Sequence, residues 1–101
     1  MATHTVASGA VGTGLVTLAA STVDTVTFTG TDLNHVEIVV PSSSPADVWY
    51  TLDGSTPTVG GAACYFVPAG AVDNREPKGG GATTVKVISS GAGVVRVQRG
   101  D

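Results

Sequence analysis

Charged side chains are scarce in this chain. Five Lys and Arg against eight Asp and Glu make 13% of its 101 residues charged, with a formal net charge of −3, where an ordinary soluble domain carries about 25%. No cluster of basic residues exists to neutralise phosphates, so a nucleic-acid partner is excluded. His4 and His35 are the only histidines, and neither has a Cys or carboxylate at ligand spacing; no metal site and no cofactor is expected. The lone Cys64 leaves no internal disulfide, fits folding in a reducing cytoplasm, and reads as a small buried hydrophobe. No apolar run approaches the roughly 20 residues of a helical membrane span, so no membrane partner is expected. The first residues lack the positive charge and unbroken apolar core of a secretory signal. Helical periodicity is missing throughout.

What remains is β-branched. Seventeen Val and fourteen Thr alternate in short runs separated by Gly, Pro, Ser and Asp, the pattern of half-buried antiparallel strands. Residues 1–20 read as an N-terminal arm or as edge strands, because Gly9, Gly12 and Gly14 interrupt any regular element; Thr3–Val6 and Leu15–Leu18 are the candidate strands. Residues 21–101 read as the β-sandwich domain. Thr22–Thr29 places Val26 and Phe28 on one face and Thr25, Thr27 and Thr29 on the other, a wet or partner-facing threonine face. Leu33–Val40 follows the turn at Gly30-Thr31-Asp32 and stops at Pro41. Val48–Leu52 alternates again, with Val48, Tyr50 and Leu52 facing one way and Trp49 and Thr51 the other. Trp49, the only Trp, is expected to be a core anchor between the sheets.

Asp53-Gly54 ends that strand, since Gly accepts positive φ and the Asp carboxylate can take backbone N–H groups beyond it. Pro57 bars Thr56–Gly61 from a central strand. Cys64–Val67 is a short apolar strand ended by Pro68. Gly70–Ala82 holds Asp73, Asn74, Arg75, Glu76 and Lys78 and is expected to be the longest exposed loop. Thr83–Ile88 and Gly93–Gln98 are expected to form a hairpin, with Val85 and Val87 facing Val95 and Val97. Together these elements predict an all-β protein, a single antiparallel Ig-like β-sandwich with an extended N-terminal arm.

No catalytic constellation emerges. Ser42, Ser43, Ser44 and Ser55 lack the strand-to-helix elbow of a nucleophile. Asp53 beside Asp47, Glu37 or Asp32 is better explained as a turn carboxylate than as a glycosidase pair. Gly60-Gly61 and Gly79-Gly80-Gly81 are followed by no Lys-Ser or Lys-Thr and no helix start, so they cradle no phosphate. Arg99-Gly100-Asp101 is a three-residue match to an adhesion motif, and chance accounts for it. An enzyme is not expected. A surface so poor in charge suits a protein partly covered by neighbours.

The run Trp49-Tyr50-Thr51-Leu52 followed by Asp53-Gly54-Ser55-Thr56-Pro57-Thr58 resembles the strand-and-turn signature of the small Ig-like sandwich appended to chitobiase-type glycosidases. It is more similar still to short virion proteins of phages infecting actinobacteria. In those, as here, segments like Thr22–Phe28 and His35–Val39 precede that turn, and segments like Phe66–Ala69 and Val85–Ser89 follow it. The resemblance covers roughly Thr22 to Gln98. It implies a capsid decoration or cement protein, made in the host cytoplasm and located on the virion, that binds the outside of the assembled head. Its partners would be the major capsid protein and further copies of itself, as a homo-oligomer and often a trimer. Partner-binding residues are then expected in the arm, at Thr3, His4, Thr5 and Val6, and in the charged loop, at Arg75, Glu76 and Lys78. Trp49, Asp53, Gly54 and Pro57 are expected to form the structural turn and core. The alternative is a phage tail or surface binding module recognising a host glycan, which requires Trp49, Tyr50 or Tyr65 to be exposed.

Overall fold

The computed structural model describes residues 2–7, 10–29, 35–76 and 83–99. Among them run nine strands: β1 (Thr3–Val6), β2 (Gly12–Thr17), β3 (Asp24–Phe28), β4 (Val36–Val39), β5 (Val48–Thr51), β6 (Tyr65–Val67), β7 (Val72–Arg75), β8 (Thr83–Ser89) and β9 (Val94–Arg99). A five-stranded sheet has the order β1-β3-β8-β5-β6, and a four-stranded sheet has the order β2-β9-β4-β7. Their inner faces enclose a core made mostly of Val, with Tyr50, Phe28, Leu18 and Ile38 as its largest side chains. The all-β sandwich expected from the alternation is present. Each buried Val contributes roughly 1.5–3 kcal/mol of transfer free energy, so the alternating strands themselves supply the drive to stack the sheets.

Consecutive strands mostly belong to different sheets. This overturns the expected hairpin of Thr83–Ile88 with Gly93–Gln98: β8 pairs with β3 and β5, whereas β9 pairs with β2 and β4. Val85, Val87, Val95 and Val97 are all fully buried, packed in the core between two sheets rather than on one ladder. The turn between the strands explains the crossing. Ser89 is fully buried and donates its hydroxyl to the Gly91 carbonyl, and the Gly93 carbonyl accepts the Leu18 N–H. The chain is thereby tied across the end of the sandwich instead of folding back beside β8.

Of the two readings of residues 1–20, an arm or edge strands, the structure has edge strands: residues 3–6, as expected, and 12–17 form the edges of the two sheets. β1 lies parallel to β3, from Thr3 opposite Thr25 to Val6 opposite Phe28, and is the one parallel pairing between the named strands. The glycines of β2 permit that strand instead of breaking it. A Cβ at Gly12 would sit 2.5 Å from the Gln98 Cβ, so only Gly lets β2 approach β9 there. Gly14, at φ +73°, sits where the register shifts between Gly12 and Leu15, and such a bulge blunts an exposed edge.

The expected loop over Gly70–Ala82 contains a further strand. β7 pairs with β4, Val36 opposite Arg75 through Val39 opposite Val72. Its polar side chains hid it, because an edge strand at a sandwich rim buries little of either face. Lys78 and the Gly79-Gly80-Gly81 run lie outside the described residues, as does the Gly30-Thr31-Asp32 turn.

Candidate binding surfaces

The outer face of the five-stranded sheet follows from register. Thr3, Thr25, Lys86 and Thr51 are successive partners across four strands, and Thr5, Thr27 and Thr84 form the next row. The third row is apolar: Ile88, Trp49 and Phe66. Adjacent strands lie about 4.8 Å apart and like-facing residues about 6.7 Å apart along each strand. Thr51, whose hydroxyl donates to the Ser55 carbonyl, and Ile88 are buried, so the accessible part is a threonine patch on β1, β3 and β8 carrying one charge, Lys86.

Trp49 therefore does not anchor the core. It lies half-buried on this outer face, its ring centroid 5.1 Å from that of Phe66 with the planes tilted by 41°, and Phe66 is 49% exposed. The neighbouring Tyr50 takes the interior position. Strand alternation allows only one of the pair to point inward, and Tyr50 has a partner there: its hydroxyl donates to Asp73 Oδ2 at 2.6 Å. A buried indole N–H would have needed an acceptor of its own.

That bond begins a cluster at the rim where β6 meets β7. Asp73 also accepts from Arg75 Nε at 3.0 Å. The Arg75 guanidinium stacks over the Tyr65 ring, 3.8 Å from its centroid, and Tyr65 packs on Tyr50 with centroids 5.3 Å apart. Burial pushes the Tyr50 phenol well above its ordinary range, and the hydrogen bond to Asp73 and that carboxylate's negative charge push it further. Beside the cluster, Thr51, Leu52, Asp53, Ala63, Tyr65 and Glu76 line an open cleft of about 180 Å³. The sequence pattern singled out Arg75 and Glu76 for partner binding, and Tyr50 and Tyr65 for the glycan alternative, of which Tyr65 is exposed and Tyr50 is not; it gave Asp73 no role. The signal was there in the two-residue spacing of Asp73 and Arg75, which puts both on one face of a strand.

Thr3, His4, Thr5 and Val6 occupy the opposite rim. Val6 is buried in the core, Thr3 and Thr5 join the outer lattice, and His4 Nε2 lies 3.0 Å from the buried Asp24 Oδ2. Among the described residues, Thr3–Val6 and the pair Arg75 and Glu76 thus stand at opposite edges of the sandwich, and no single patch brings them together. Asp53 and Gly54 form a tight turn: Gly54 has φ +84°, and Asp53 Oδ1 accepts from both the Ser55 N–H at 3.0 Å and its hydroxyl at 2.6 Å. Pro57 is buried. Cys64 is only partly buried, in the loop before β6, with the Thr58 N–H donating to its sulfur. Among the described residues, no group of three or more His, Cys, Asp or Glu is placed to hold a metal ion. Among the described residues no helix is long and apolar enough to cross a membrane.

No family model matches the chain, and no curated protein matches it in sequence. Among the solved structures that share its fold are these two. One is PliG from Aeromonas hydrophila, a periplasmic lysozyme inhibitor of g-type lysozyme, with a TM-score of 0.58 at 13% identity over 97% of this chain and 98% of that one. The other is the pre-peptidase C-terminal domain of a collagenase from Bacillus anthracis, with a TM-score of 0.50 at 14% identity over 95% of this chain and 92% of that one. At such identities the likeness is one of fold alone.

Proposed function

We propose that the chain is a non-enzymatic virion structural protein, a decoration protein that binds the outside of an assembled phage head as a homo-oligomer, with a trimer favoured. The outer face of the five-stranded sheet is its docking surface. The observation that carries this reading is the threonine lattice of β1, β3 and β8, two rows deep with Lys86 as its single charge. Such a face loses little desolvation free energy when covered, because it holds few ions to strip of water. The mechanism is differential affinity: a protein that binds the assembled shell and not its dissociated subunits stabilises assembly by mass action. Many copies bridging subunit boundaries would raise the pressure of packed DNA that the shell withstands.

Adding purified protein to shells that lack it, and locating the added density, tests this directly. Thr25→Glu with Thr27→Glu should abolish binding while leaving the sandwich folded. Protein that bound only tails or cells and left shells bare would refute the proposal.

One observation favours a second reading, a tail or surface module that recognises a host glycan. Phe66, with the half-buried Trp49 against it, presents an aromatic surface on the same face, and sugar rings stack their C–H faces on such rings. Saturable protection of Trp49 fluorescence by host cell-wall glycan, with no shell binding, would favour this reading over decoration.

A further inference from the structure

The strand that β1 pairs with, β3, begins some twenty residues further along the chain and offers β1 an edge slot. Thr25 donates its N–H to the Ala2 carbonyl at 2.9 Å, and Thr29 donates both its N–H and its hydroxyl to the Val6 carbonyl, at 3.0 and 3.1 Å. Asp24 is 5% exposed. Its described side-chain bonds are to the Ala2 N–H at 3.2 Å and to His4 Nε2 at 3.0 Å, both from the segment that enters the slot. Val6 is the one β1 side chain buried in the core.

Two consequences follow. Without an occupant, the slot holds a buried carboxylate stripped of these partners and an unfilled core position, so leaving it empty is costly and the filled state is favoured. Yet nothing in it distinguishes this chain's own segment from the same segment of another copy. Parallel pairing rules out a tight hairpin as the link, and the paired residues stand 22 apart in sequence. Only the tether, through its effective concentration, favours the chain's own strand.

We propose that the β1 slot exchanges strands between copies: Ala2–Val6 of one subunit occupies the β3 edge of its neighbour and links copies into the oligomer. Exchange of an identical element is a low-cost route to assembly, since every contact broken is remade. The inference rests on the reading of the protein as a multi-copy component, but its test needs no shell, so the failure of either is seen separately.

The test uses two single-cysteine chains, each also carrying Cys64→Ser. One has Thr5→Cys and the other Thr27→Cys, positions that face each other across the β1–β3 pair. Neighbouring strands lie about 4.8 Å apart, within the about 4.4–6.8 Å that a disulfide spans. Neither chain can close the bond alone. Mixed at high concentration, unfolded and refolded together, then oxidised, they should give a disulfide-linked heterodimer in several-fold excess over both homodimers. A heterodimer yield no greater than random pairing would overturn the proposal. As a check on folding, the double variant in one chain should retain the wild-type spectrum and link its own two cysteines when refolded at high dilution.

Discussion

The sandwich is closed differently at its two rims. On one side β1 and β2 cap the sheets as added strands: β1 adds a ladder to β3, and the Arg99 side chain donates to the Ala10 and Thr29 carbonyls. On the other, β6 and β7 are joined across the gap by side chains, through the chain of contacts from Tyr50 to Asp73 to Arg75 to Tyr65. A rim closed by an added strand can be opened and remade by the same segment of another copy. A rim closed by one hydroxyl, one carboxylate and stacked rings is specific to those residues and has no substitute. This is why the first is the place for exchange and the second the place where the fold is locked.

The largest effect should come from the locked rim. Tyr50→Ala removes a fully buried ring and the bond that turns Asp73 inward, and should cost about 3–5 kcal/mol. A denaturant melt checks this, with a fall in midpoint at unchanged slope. The strand-closed rim should respond less globally. His4→Ala withdraws one partner from the Asp24 carboxylate and should cost about 1–3 kcal/mol, but by releasing β1 rather than by unfolding the body. The Thr25 and Thr29 amides, whose described bonds are to Ala2 and Val6, should then exchange hydrogen much faster while the Val85 and Val97 amides hardly change. Uniform acceleration across all of these amides would show that the two rims are not independent.

The two rims also differ in how far they can be read from sequence. Alternation in Thr25–Phe28 and Val48–Leu52 reveals strands and faces, because the period of a strand is imposed by its own backbone. The outward Thr25 and Thr27 were legible for that reason. Partner choice is set by distant residues, and so the parallel docking of β1 and the separation of β8 from β9 into different sheets could not be read locally. Trp49 shows the limit most clearly. Composition favours the only Trp for the core, yet the decision was made by Asp73, which rewards a phenol at position 50. Asp73 itself was hidden in a run of charged residues that resembles a loop.

A smaller effect isolates the Tyr50 hydroxyl. Its pKa is raised in the folded protein, so folding holds the proton while the unfolded phenol releases it near its ordinary pKa of about 10. Stability from this group is therefore complete below that pH and is lost as pH rises above it. Tyr50→Phe should cost about 1 kcal/mol at neutral pH and should flatten the fall in melting temperature above about pH 10. An equally steep fall in the variant would assign the alkaline loss to other groups.

The ion pair should matter least. Arg75 and Asp73 side chains are 42% and 24% exposed, so water and salt screen their attraction, and exposed pairs of this kind are typically worth under about 1 kcal/mol. Arg75→Gln should therefore shift the melting temperature far less than Tyr50→Ala. Raising ionic strength from about 0.01 to 1 M, which shortens the screening length from about 30 to 3 Å, should erase most of the difference between Arg75→Gln and wild type. A residual loss at high salt would point instead to the stacking of the guanidinium on Tyr65. Arg75→Lys separates the two: it keeps the charge but not the flat surface. If Lys restores nothing, planar contact rather than charge completes the lock on that rim.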